Sequence, residues 1–297
     1  MLKKKIIIIG STGMLGSQVT KYFYKTKKYH LICIARNEKK FHLLKLKKNN
    51  SLILNICDLN NFKDLQKIIQ TIQPDYIINC AGMVKQIMNS KNKKLTYFLN
   101  VTIPKNLSKL IKNEKTKFIH FSTDCVFSGA KGYYSERSKP DCKDFYGITK
   151  LKGEIKSNNT INLRTSIIGH ELNTKIGLLE WFMSSKKKVY GFKNSIFSGL
   201  TTLEIAKFLD HYIIRKKLIK SGLFHLSANP INKFKLLNMI STIYKKKILI
   251  IPKNNVKCDR SLNSNKLKKI VKYKSKNWNK MLTELRLENL KISNGRI

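Results

Sequence analysis

The chain has 297 residues, 42% of them hydrophobic and 9% aromatic, with only 5 prolines and 14 glycines. This balance excludes disordered, collagen-like and low-complexity classes, and with a mean hydropathy of -0.31 no run approaches the roughly 18 apolar residues of a membrane helix. The formal net charge of +43 comes from 53 lysines and 7 arginines against 17 acids. Lysine, isoleucine and asparagine are all heavily used. They are residues of A/T-rich codons, so base composition accounts for the charge without selection. The lysine pairs are scattered from Lys3 to Lys269, not gathered on one element, and no arginine cluster interleaves with aromatics. The pattern argues against nucleic acid as the main partner, while a basic surface favours an anionic substrate.

Six cysteines (Cys33, Cys57, Cys80, Cys125, Cys142 and Cys258) form no CxxC pair, and no histidine set has metal-like spacing. Four fall at or near the ends of apolar runs and read as small buried hydrophobes in a reducing, cytoplasmic setting. The start, MLKKKIIIIG, has four isoleucines before a glycine. That is too short for the apolar region of a signal peptide and reads as a buried first strand.

In chain order, the pattern predicts strands at 5–9, 30–35, 51–56, 75–80, 117–121 and 160–163, and helices at 14–27, 61–72, 92–112 and 146–157. This alternation implies a Rossmann-type, doubly wound parallel sheet with helices on both faces and right-handed crossovers. Past 165 the rhythm loosens. Helices are expected near 176–185, 202–217, 233–244 and 277–288, and strands at 188–190, 223–226 and 248–251. With no Pro-, Gly- or Ser-rich linker and no repeat, residues 1–165 read as a dinucleotide-binding domain. Residues 166–297 read as a smaller α/β substrate lobe packed on it, with segments free to interleave. Residues 288–297 are expected to fray.

Gly10-Ser11-Thr12-Gly13-Met14-Leu15-Gly16 follows the first strand and opens the first helix. Glycine there lets the backbone turn tightly and lets a pyrophosphate reach the free N–H groups of the helix start; a plain tight turn is the alternative. After strand two, where an acid commonly selects NAD, stands Arg36. It either binds a 2′-phosphate, favouring NADP(H) over NAD(H), or is a solvated surface arginine. Asp58-Leu59 after strand three is placed to meet adenine, and Cys80-Ala81-Gly82 after strand four offers small side chains to a ribose.

Tyr146 and Lys150 are four residues apart on a predicted helix, hence on one face. A neighbouring ammonium favours the phenolate and brings tyrosine toward working range, although in so lysine-rich a chain the pair also arises by chance. Thr123 lies at the end of strand five, where open α/β sheets bind ligands. Its hydroxyl and that of Tyr146 together could polarise a carbonyl for hydride attack.

The run Ser122-Thr123-Asp124-Cys125-Val126-Phe127-Ser128-Gly129 is followed by Tyr134, Glu136, Pro140, Tyr146-Gly147, Lys150, Gly153-Glu154 and Leu163-Arg164-Thr165-Ser166. Together these resemble the dTDP-4-dehydrorhamnose reductase group of the extended short-chain dehydrogenase/reductases, over about residues 5–170. The resemblance implies Thr123, Tyr146 and Lys150 as catalytic residues, with Asn100 as the supporting helix asparagine. It also implies Gly13, Met14 and Leu15 around the pyrophosphate. Asp58, Leu59, Ala81, Gly82, Met83 and Val84 would line the rest of the cofactor path, and Asp124 would face the sugar. Two departures touch the sugar's position: Cys125 where relatives carry an aromatic, and Ile167 where the rhamnose-forming reductases carry tryptophan. They speak against dTDP-4-dehydrorhamnose itself, not against reductase chemistry. In the second lobe, His170, Trp181, Tyr190 and Phe197 are candidates for nucleotide or sugar contact. Core packing is the alternative for each aromatic, and a satisfied loop histidine for His170.

These features imply reduction of a nucleoside-diphosphate-linked 4-keto-deoxysugar on a path to surface polysaccharide, with no specific nucleic acid and no membrane as partner. By analogy, helices 92–112 and 146–157 would pair in a homodimer. A 4,6-dehydratase would need an acid pair after Thr123, and Cys125 replaces its second member. An epimerase usually selects NAD through an acid where Arg36 stands. The non-catalytic alternative is a regulatory subunit like that of methionine adenosyltransferase, which resembles the same group.

Overall fold

Ile6, Ile7, Ile8 and Ile9 are all completely buried, which is possible only for a strand covered on both faces. In the computed structural model, which describes residues 2–47, 51–85, 92–111 and 115–293, they form β1 (Lys4–Ile9) at the middle of the sheet. The first half runs α1 (Met14–Thr26), β2 (Tyr29–Ala35), α2 (Glu38–His42), β3 (Leu52–Ile56), α3 (Phe62–Ile72) and β4 (Tyr76–Asn79). Next come α4 (Lys93–Tyr97), a π-helical turn Phe98–Thr102, α5 (Ile103–Leu110), β5 (Lys117–Thr123), α6 (Phe145–Lys152) and β6 (Thr160–Thr165).

The second half runs β7 (Ile167–Ile168), α7 (Leu178–Ser184), β8 (Val189–Phe192), β9 (Ser195–Phe197), β10 (Leu200–Thr201), α8 (Thr202–Phe208), a π-helical Leu209–Arg215 and β11 (Gly222–His225). It closes with β12 (Ile231–Asn232), α9 (Lys233–Tyr244), β13 (Ile250–Lys253), β14 (Cys258–Asp259), α10 (Asn265–Val271) and α11 (Trp278–Ser293). The main sheet has seven strands in the order β11-β6-β5-β4-β1-β2-β3, and every pairing is parallel. A strand from the second half therefore completes the sheet built by the first. Smaller sheets pair β7 with β10, β8 with β13, and β9 with β12 and β14.

The two sheet faces hold separate cores, as alternation along β1 requires. Ile6 and Ile8 join Val19 and Phe23 of α1, while Ile7 and Ile9 join Leu65 and Ile69 of α3 and Leu107 of α5. Several bounds differ from the sequence reading. β5 and β6 run on through Thr123 and Thr165, because they pair with each other to that point and the polar side chains of Ser122 and Arg164 are buried on Glu154. α6 stops at Lys152, short of the expected 157, because Gly153 and Glu154 are drawn into contacts described below. Part of the expected fraying tail, residues 294–297, lies outside the described residues, as does residue 112 of the expected 92–112 helix. All six cysteines are free thiols. Among the described residues no helix is long and apolar enough to cross a membrane.

Candidate active site

The sheet order reverses between β1 and β4, so the loops after these two strands leave in opposite directions and open a crevice at their carboxyl ends. The glycine turn fills the β1 side. Gly10 has φ +75°, and Gly16 lies so close beneath it that a Cβ would come to 2.1 Å of the Gly10 carbonyl oxygen. Gly13 starts α1 with no side-chain cap, and the first helical turn carries no acid. The N–H groups there are left for an anion. Thr12 and Met14 are half-buried. Leu15 packs into the core, so it offers the turn only its backbone.

Arg36 stands exposed just past β2. Asp58 is exposed and accepts the backbone N–H of Asn60 at 3.0 Å, whereas the Leu59 side chain is sealed in the core. After β4, Asn79 Oδ1 accepts the Ala81 N–H at 3.1 Å, and Asn100 Oδ1 accepts the Met83 N–H at 3.0 Å. Gly82 and Val84 are exposed on this turn. A Cβ on Gly82 would come to 3.0 Å of Asn100 Oδ1 and 3.9 Å of Lys150 Nζ.

Asn100 sits within the π-helical turn, and the sequence says why. Residue 104 is proline, which lacks the N–H that the Asn100 carbonyl would accept in an α-helix. Gly153 packs against that freed carbonyl, where a Cβ would lie 2.0 Å from the oxygen. The Asn100 side chain also donates to Thr149 Oγ1 at 3.2 Å. Asn100 thus ties the turn after β4, through Met83, to α6 and its end, through Thr149 and Gly153.

On α6, capped by Asp144 accepting the Gly147 N–H at 2.9 Å, stand Tyr146 and Lys150. The Thr123 hydroxyl neighbours the Tyr146 phenol and, against the larger effect of burial, pulls its pKa down. Lys150 Nζ donates to the Phe121 carbonyl at 2.5 Å. The expected tuning of Tyr146 by Lys150 is outweighed: burial pushes the phenol up, with the Cys125 thiol adding to the rise. Tyr146 is therefore held protonated at neutral pH. Burial brings Lys150 down to about 8. Its charge then costs stability fully below pH 8, and the cost fades as pH rises toward the ordinary lysine value near 10.5. Relative to Lys150→Met, the wild-type protein is expected to gain ~1.4 kcal/mol per pH unit across that window; chemical denaturation of both proteins at several pH values measures the difference.

Thr123 is buried and accepts the Cys125 N–H at 3.2 Å. Asp124 is buried too and accepts the Thr123 hydroxyl at 3.2 Å; burial pushes its carboxyl up. Just past β6, Ser166 is half-buried, and so is Ile167 at the start of β7. Burial pushes the Cys125 thiol up to about 12, which keeps it neutral. The structure adds Arg260, which the sequence reading missed. Its Nε donates to the Phe127 carbonyl at 2.8 Å and its Nη1 reaches Cys125 Sγ at 3.7 Å. One signal pointed to it: a chain with 53 lysines and 7 arginines keeps arginine where a planar, forked donor is needed.

The remaining motif residues brace the site. Arg164, buried on β6, grips Glu154 with Nε and Nη2 at 2.7 and 2.8 Å, and Ser122 of β5 donates to the same carboxylate at 2.6 Å. Tyr134 stacks on Phe127 with ring centroids 4.1 Å apart, and Glu136 accepts the His225 N–H at 2.8 Å.

Two second-lobe candidates are engaged within the protein. Phe197 packs on Trp278 in the core. Both ring nitrogens of His170 are engaged, Nδ1 with Glu180 at 2.6 Å and Nε2 with Tyr244 at 3.0 Å. Trp181 and Tyr190 are exposed. Segment 171–177 instead reaches the glycine turn: Glu171 accepts the Ile176 and Gly177 N–H groups at 2.8 and 2.9 Å, and Gly177 abuts the Met14 side chain.

A seven-stranded parallel sheet with a glycine turn at its switch point is the Rossmann-type, dinucleotide-binding arrangement. Residues 4–290 match the family described as RmlD substrate binding domain, and the chain belongs to it. The fold is shared with the dTDP-4-dehydrorhamnose reductase of Bacillus anthracis in complex with NADP (21% identity, 97% of this chain and 100% of that one, TM-score 0.79). It is shared equally with the enzyme WbmG of Bordetella bronchiseptica in complex with NAD and UDP (15% identity, 99% and 96%, TM-score 0.80). In sequence the chain is 32% identical over 152 residues to methionine adenosyltransferase 2 subunit beta of Xenopus laevis, covering 51% of this chain and 42% of that protein. It is 30% identical over 102 residues to a probable low-salt glycan biosynthesis reductase of Haloferax volcanii, covering 34% of each. The chain thus spans less than half the length of the first of these relatives.

Proposed function

We propose that the protein is an NADPH-dependent reductase of a nucleoside-diphosphate-linked 4-keto-deoxysugar. The observation that carries this reading is Lys150, one helical turn from Tyr146 on α6, with its Nζ held by the Phe121 carbonyl at 2.5 Å beside Gly82. The residues present fit a dinucleotide: the uncapped start of α1 suits a pyrophosphate, and the side-chain-free surface of Gly82 over Asn100 and Lys150 suits a ribose. The cofactor, when bound, supplies the hydride. Thr123 donates a hydrogen bond to the sugar carbonyl and fixes its orientation. Tyr146, kept protonated by burial, gives its hydroxyl proton to the oxygen as negative charge develops there. Lys150 holds the ribose and supplies positive charge below the phenol. Arg260 suits the anionic part of the substrate, and Arg36 suits the 2′-phosphate that distinguishes NADPH.

Cys125, in place of a second acid and held as a neutral thiol, argues against a dehydratase. NADPH absorbance is expected to fall on addition of a nucleoside-diphosphate 4-keto-deoxysugar, and faster than NADH absorbance does. Product formation without net loss of reduced cofactor would instead identify an epimerase. A second reading, a regulatory subunit without catalysis, draws on the 32% identity to the methionine adenosyltransferase subunit.

A further inference from the structure

We infer that the face built on β8 and β13 is a docking surface for an anionic lipid bilayer. The chain pairs these two strands in parallel, Val189 with Ile250 and Phe192 with Lys253, and so brings together two segments far apart in the sequence. Residues 186–193 and 245–258 hold nine lysines and no acid. Between Glu180 and Asp259 the only acids are Glu204 and Asp210, and both are buried in or beside α8. Among the described residues none of the nine lysines is in an ion pair, and eight of them are exposed. The positive charge on this face is thus uncompensated, although the sequence shows only scattered lysine runs.

Apolar side chains stand among those lysines. Leu249 is 64% exposed, Tyr190 42% and Val256 37%. Leu249 sits beside the lysine run 186–188, because its carbonyl accepts the Val189 N–H. Lysine mixed with protruding aliphatic and aromatic groups matches the two attractions of an anionic bilayer surface, charge and shallow apolar insertion. Nucleic acid is the poorer fit. The two segments contain no arginine, and Lys253 Nζ lies 4.3 Å from the centroid of the Tyr190 ring, covering a face on which a base would stack.

The test is sedimentation of the 297-residue chain with phosphatidylcholine vesicles, with and without phosphatidylglycerol, at low and high salt. Binding is expected to require phosphatidylglycerol and to weaken with salt. Each lysine near such a surface is worth about fivefold in partitioning. The exposed pair Lys187→Glu/Lys247→Glu is therefore expected to cut binding at least ~10-fold. Leu249→Ser, which changes no charge, is expected to cut it roughly tenfold. The exposed pair Lys63→Glu/Lys67→Glu on α3 makes the same change in net charge elsewhere and is expected to cut it far less. Circular dichroism checks that each variant folds. Equal losses in the two charge pairs would show that net charge alone binds, and would overturn the proposal. So would an unchanged Leu249→Ser, or binding of single-stranded RNA but not of vesicles.

Discussion

Tyr146→Phe is expected to lower kcat of the proposed reductase by about 10²–10⁴ while leaving the melting temperature and dinucleotide binding near wild type. The substitution removes one oxygen from a ring that α6 holds in place through its Asp144 cap and the Gly153–Asn100 contact, so the crevice keeps its shape. What is lost is the phenol hydroxyl beside Thr123 and the proton it would give. The effect should fall on kcat, because the hydroxyl matters most when the carbonyl oxygen gains charge. Full biological activity in this variant would favour the regulatory-subunit reading, because such a role depends on surfaces and not on a phenol.

The second large effect concerns stability. Arg164→Leu is expected to destabilise the protein by about 3–5 kcal/mol, the cost of leaving a buried carboxylate without its partner. The Arg164 and Glu154 side chains are only 3% and 13% exposed, so solvent cannot take over. The double variant Arg164→Leu/Glu154→Leu is expected to recover a large part of the loss, since no unpaired charge remains. Urea denaturation midpoints of the single and double variants measure both. Glu154 also receives Ser122, one residue before Thr123, so the single variant is expected to loosen the threonine and reduce activity as well. If Arg164→Leu proves as stable as wild type, the pair does not brace the strand ends as described.

Short-range chemistry made much of this protein legible. Four isoleucines read as a doubly covered strand because burial on both faces leaves no polar position to show. The glycine turn read as a phosphate cradle because only residues without side chains permit Gly16 to approach Gly10. Tyr146 and Lys150 shared a face because four residues make about one helical turn. Each inference needs only neighbours in the chain. The rest depended on contacts between distant segments, which leave no local period. Buried polar residues at the ends of β5 and β6 look like loop residues until Glu154 is seen between Ser122 and Arg164. Arg260 joins Cys125 across 135 positions. β11 enters the main sheet only because the second half folds back along β6. The lysines of 186–193 and 245–258 become one charged face only through the pairing of β8 with β13. In each case the sequence supplied the side chains, and packing of remote backbone segments decided which of them meet.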